Sequence, residues 1–355
     1  MRSGVRTAAV PHRLDDNRIP PLYGGGARID AFRVSAGPVC GPEDWVGSVW
    51  ELPTYFAAAG RDDWGLSRLP DGQYLRDAIA ADAEGWLGAP LAAAAGGTPG
   101  VLVKLLDAGE RLPVHFHPTR PFARRHLGSA YGKTEGWAII DAEPGAAAWL
   151  GFRNDVSLET LREWVATQNS DAMLAAMNRH DVSAGDAIYV PAGVPHAFGP
   201  GILLCELQEP TSFSIHMEHV SYGMDDDVAT LGLGWETALE GVELRAMADE
   251  VDGMWSAAWE AHSGPGGRAD HLFPREALPF FDAQRVAVRG KLELLPSFGV
   301  LVVLRGEGRL LVQDGEHDMV AGETWIVPHG AGPVQLAGEL DALLCLPPLV
   351  QGAAT

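Results

Sequence analysis

Short apolar runs, each closed by Gly, Pro or Asp, follow one another along most of this chain. Residues 101–106, 136–140, 146–152, 187–190 and 202–207 read as strands, and their cadence is that of an all-β sandwich or barrel. Helical spacing is rare. Ser157 is a good N-cap, Glu159 falls in the first turn, and Leu158, Leu161, Trp164 and Val165 keep a helical period. A second short helix is expected over 172–177 and another over 73–81. The first 27 residues, with Pro11, Pro20, Pro21 and Gly24 to Gly26, read as an extended arm or loop.

Part of the cadence occurs twice. The turn Ser183-Ala184-Gly185-Asp186, a short strand and Pro191-Ala192-Gly193-Val194-Pro195-His196 are echoed by Ala321-Gly322-Glu323, a short strand and Pro328-His329-Gly330. The echo suggests an internal duplication of a small β-unit. Residues 237–279, rich in Ala, Gly, Glu and Asp, contain the expected boundary. Residues 28–250 then form a first domain with a helical insertion near 157–178, and residues 251–355 a second.

Composition narrows the class. The 355 residues are 46% hydrophobic and 21% charged, enough to bury one large core or two moderate ones. A formal net charge of -21 disfavours nucleic acid as a partner, because a polyanion would meet a like-charged surface. Cys40, Cys205 and Cys345 are too few and too scattered for a disulfide framework, which fits a reducing cytoplasm. The sequence from Met1 to Arg6 opens no apolar signal region, and no run reaches the length of a membrane span.

The candidate chemistry begins at His115-Phe116-His117. On a strand, alternate residues share a face, so both histidines can point into one cavity while Phe116 packs the other way. With Glu135 and the distant His196 they make a three-nitrogen, one-oxygen ligand set for a divalent metal. Zinc, iron, manganese, cobalt or nickel would accept it. The second domain has no His-x-His and is expected to be metal-free.

The passages Leu112-Pro113-Val114-His115-Phe116-His117-Pro118, Gly132-Lys133-Thr134-Glu135-Gly136-Trp137 and 185–196 resemble type I phosphomannose isomerases of the cupin superfamily. Val46-Gly47-Ser48-Val49-Trp50-Glu51 and the end of the second domain also look like that family, so the resemblance covers most of residues 28–349 in order. It implies a mainly β fold of two cupin-type jelly-roll barrels and one divalent metal, usually zinc. It further implies isomerisation of mannose 6-phosphate and fructose 6-phosphate through an enediol, in a monomer or homodimer. Motif by motif, the family's metal set falls on His115, His117, Glu135 and His196, with His115 in place of a glutamine. Lys133 falls on the family's active-site lysine and Glu206 on a carboxylate proposed as the base.

Two departures stand in the same region. His216 takes the place of a family arginine, and Pro113 that of a serine. Histidine is no permanent cation near neutral pH, so His216 is an acid or base, a partial electrostatic substitute or a bystander. Arg120, Arg124 and Arg125 form the densest cationic cluster of an acidic chain and are read as a phosphate-binding lip in a loop. The leading reading is a metal-dependent isomerase of a sugar phosphate. Its alternatives are an isomerase of a free or different sugar, a catalytically inactive sugar-binding cupin, and an iron dioxygenase, against which Lys133 argues.

Overall fold

The computed structural model describes residues 7–19, 23–33, 41–53, 63–313 and 315–350; Pro20, Pro21 and Cys40 lie outside them. The chain is mainly β, and its named strands pair antiparallel in three sheets. One five-stranded sheet runs in the order Glu43–Val46, Leu102–Ala108, Ile202–Gln208, Glu135–Ala142, Ala187–Val190. A second runs Ile215–His216, His115–Phe116, His196–Phe198, Ala147–Phe152, Met177–Asp181. The third has eight strands, built on the long Asp282–Leu294, Gly299–Val312 and Val334–Leu346. Among the described residues none of the three closes on itself by its pairing.

Strand parity sets what each face does. In Leu102–Ala108 the residues Leu106 and Ala108 join Trp137, Ile139, Leu204 and Phe198 between the two five-stranded sheets. Their alternates Val103 and Leu105 face the other way, with Ala138, Leu203, Cys205 and Leu207, against Phe273, Phe281, Val300 and Cys345 of the large sheet's unit. Both faces of this sheet are therefore buried, which explains strands that read as continuous apolar runs rather than alternations. Gly136 marks the closest approach. A Cβ there would lie 2.7 Å from the Phe273 ring and 2.8 Å from Phe281.

Three local readings change. His12–Leu14 is not loose but pairs with Thr324–Val327, stitching the start of the chain to the far sheet. Residues Ala83–Leu87 and Ala89–Ala94 add two helices beyond the expected Leu75–Ala81, in an Ala-rich stretch without a clear apolar period. Arg120–His126 is a helix, not a loop: the Thr119 hydroxyl accepts from the Phe122 amide and Pro121 occupies the first turn. The insertion helices lie at Leu158–Ala166 and Ser170–Ala176, the first capped by Ser157. No helix among the described residues is long and apolar enough to cross a membrane.

The Gly136 contact yields a test of this packing. Gly136→Val should cost about 1–3 kcal/mol by overpacking against the two phenylalanines. A lowered thermal midpoint in calorimetry checks it, and an unchanged midpoint would contradict the packing described.

Candidate metal centre

His115 and His196 face each other across a strand pair, and His117 follows directly on the strand that carries His115. Their ring centroids lie 4.2 Å apart for His115 and His196, 4.9 Å for His115 and His117, and 4.8 Å for His117 and His196. Phe116 points away from them into the apolar cluster shared with the insertion helices, as alternation requires. One ligand nitrogen from each histidine can be chosen so that all lie within 4.8 Å of one another.

The backbone fixes which nitrogens those are. His115 Nδ1 lies 2.7 Å from the Pro113 carbonyl, His117 Nδ1 2.8 Å from that of Phe213, and His196 Nδ1 2.9 Å from that of Val194. A carbonyl only accepts, so each Nδ1 carries its proton and each Nε2 presents a lone pair. Burial lowers the pKa of all three imidazoles, that of His117 to about 3, which keeps them neutral. His196 Nε2 is buried without a hydrogen-bond partner. Glu135 brings Oε1 to 2.9 Å from His117 Nε2 and Oε2 to 3.6 Å from His196 Nε2. Lone pairs and carboxylate oxygens thus converge in a buried space, a donor set that fits a divalent cation.

Lys133 sits beside them, its Nζ 2.7 Å from Glu135 Oε1 and 3.2 Å from His117 Nε2. Burial pushes the Glu135 carboxyl up, but the Lys133 ammonium beside it opposes that and holds it below its ordinary range. The direction of Lys133 is set by buried Glu209, which accepts from the Gly132 amide at 3.3 Å and the Thr134 amide at 3.0 Å.

Glu206 lies on the same cavity wall, directly across from Lys104. Lys104 is the site residue that sequence reasoning passed over, although a lysine inside the apolar run 101–106 is itself a signal. Its Nζ lies 3.3 Å from Glu206 and 3.4 Å from Glu43. Against burial, these two carboxylates raise the Lys104 pKa and keep it charged. Glu43 also accepts from Tyr23 Oη at 2.9 Å and Trp45 Nε1 at 2.8 Å. Burial first, then Glu135, push Glu206 up to about 7.

His216 does enter the cavity, across from His115 with ring centroids 5.4 Å apart. Burial, with Lys133 adding to it, lowers its pKa to about 3, so it is a neutral ring and no substitute cation. The arginines lie elsewhere. Arg120 binds Glu209 at 2.5 Å and stacks over Phe280 at 4.5 Å, while Arg124 and Arg125 are exposed on the helix; none of the three lines the cavity.

No family model matches the chain. Mannose-6-phosphate isomerase of Streptococcus mutans is 28% identical over 245 residues, covering 68% of this chain and 72% of the relative. Mannose-6-phosphate isomerase ManA of Bacillus subtilis is 26% identical over 249 residues, covering 69% and 74%. Among solved structures, the mannose 6-phosphate isomerase of Bacillus subtilis superposes with a TM-score of 0.70 at 21% identity, over 94% of this chain and 99% of that one. The apo enzyme from Salmonella typhimurium gives 0.73 at 14% identity, over 96% and 99%. A mannose 6-phosphate isomerase bound with zinc and yttrium gives 0.72 at 14% identity, over 96% and 100%.

Metal analysis tests the ligand set. The protein should carry one divalent ion per chain, most of it lost in His117→Ala and His196→Ala, whereas His115→Gln should keep it. Unchanged metal content in either alanine variant would contradict the site.

Proposed function

We propose that the chain belongs to the type I mannose-6-phosphate isomerase family and is a metal-dependent aldose–ketose isomerase interconverting mannose 6-phosphate and fructose 6-phosphate. One observation carries this reading: His115, Glu135, Lys133 and a carboxyl poised near neutrality at Glu206 line one cavity, with His117 and His196 clustered against His115 and Glu135. A bound divalent ion, zinc by analogy with the family, would be held by His115, His117, His196 and Glu135 and would polarise a sugar oxygen.

The protein's own groups do the rest. Isomerisation moves a proton between C1 and C2, and a carboxyl that gains and loses protons near neutral pH suits both directions. Glu206 is assigned that work. Negative charge develops on the sugar oxygens during the transfer, and two buried ammonium groups, Lys133 and Lys104, line the same cavity to meet it. Lys104 takes over the role of the family arginine, which neutral His216 cannot fill. Leu52, Leu106, Leu112, Phe198 and Met224 add apolar surface to the lining of the same cavity.

A free sugar is the second reading, favoured by a specific feature. Both lysines lining the cavity already face carboxylates, and Arg120 is committed to Glu209. A phosphate group would then need a cation from beyond the described lining.

A coupled assay over phosphorylated and free aldoses decides between them. Turnover of mannose 6-phosphate is expected, with kcat falling about 10²–10⁴-fold in Glu206→Gln while metal stays bound. Turnover of free mannose alone would favour the second reading. No turnover of any sugar by the metal-loaded protein would contradict both.

A further inference from the structure

We propose that Gln168, on the helical insertion, is a positioning residue that clamps the segment carrying His216, Tyr222 and Met224 over the cavity. The inference rests on the isomerase reading for its kinetic consequence, though the clamp itself is structural. Gln168 follows the first insertion helix and its cap Thr167, and it adopts φ +50°, a left-handed conformation. Glycine is the usual residue just past a helix end in that conformation, because a Cβ is unfavourable there. The turn alone would be better served by glycine, so the side chain calls for its own explanation.

That side chain is fully engaged with one segment. Oε1 accepts from the backbone amides of His219 at 2.9 Å and Val220 at 3.0 Å, which fixes the orientation of the amide group. Nε2, with two hydrogens to give, lies 2.8 Å from the Val165 carbonyl, 3.0 Å from the Met217 carbonyl and 2.9 Å from His219 Nδ1. If His219 Nδ1 accepts, its Nε2 carries the proton, and Asp226 Oδ1 stands 3.0 Å from that nitrogen to receive it. A single amide thereby satisfies the Met217 carbonyl and the His219 and Val220 amides, past the last strand contact, which the Glu218 amide makes to the Val114 carbonyl at 3.0 Å.

What this segment holds is the site. Upstream, the Phe213 carbonyl binds His117 Nδ1 and His216 pairs with His115; downstream, Tyr222 and Met224 line the cavity. The insertion helices pack beneath Phe116, on the far side of the metal strand. Gln168 is where that support reaches round to the opposite wall, so releasing it should misplace the wall while leaving the histidine triad, held by its own carbonyls, able to bind metal.

The test uses metal-loaded protein with Gln168→Gly, which keeps the turn and removes the clamp, and Gln168→Met, which keeps the bulk. Both should hold one metal per chain, with kcat for the productive sugar down about ten- to hundredfold, as expected for a small misplacement at the reacting atoms. KM should change much less. Hydrogen exchange of amides 217–224 should quicken in both. A kcat within twofold of the parent in either folded variant, or unchanged exchange in that segment, overturns the proposal. So does a loss of kcat matched by a loss of metal. If the parent turns over no sugar, faster exchange upholds the clamp and the failure belongs to the isomerase reading alone.

Discussion

Three imidazole lone pairs and a carboxylate meet in one buried space, and that convergence of acceptors is the constraint on which the rest depends. Left to themselves, such groups repel and each loses its hydration. Their protons are already committed: the carbonyls of Pro113, Phe213 and Val194 hold all three Nδ1–H groups, so no ring can turn to relieve its neighbour without leaving a buried carbonyl unpaired. Positive charge must enter. Lys133 supplies part of it at 2.7 Å from Glu135, and a divalent cation would complete it.

The first sheet explains how so much charge sits inside apolar strands. Lys104, Glu206 and Glu135 occupy positions of the same parity on adjacent strands, so three ionised or ionisable groups become cross-strand neighbours on a single wall. The residues between them face the opposite way, where they dock the large sheet's unit. The large sheet's unit thereby acts as a rear wall for the site, and Arg120 ties the two together by binding Glu209 while stacking on Phe280. Glu209 in turn holds the amides on either side of Lys133. A guanidinium that looks free in the sequence is spent on aligning the lysine.

Much of this was legible beforehand, for identifiable reasons. The His115-Phe116-His117 alternation and the Ser157 cap are local rules with one outcome each, and they hold. Lys104 was readable in principle as a charge in a buried strand, but its partners Glu43 and Glu206 are distant in sequence and only the strand order joins them. The helix at Arg120–His126 was missed because three basic residues beside a proline look like a solvated loop. Thr119 and Pro121 were the capping signals that outweighed them. The stitching of His12–Leu14 to Thr324–Val327 crosses nearly the whole chain, and no local pattern announces it.

The most direct test of the central claim is anomalous diffraction from crystals grown with zinc. A single strong peak bonded to the Nε2 atoms of His115, His117 and His196, at about 2.0–2.1 Å from each, is the expected result. A map with no peak there, or with the metal seated on other residues while the three rings keep their Nδ1 bonds, would contradict it.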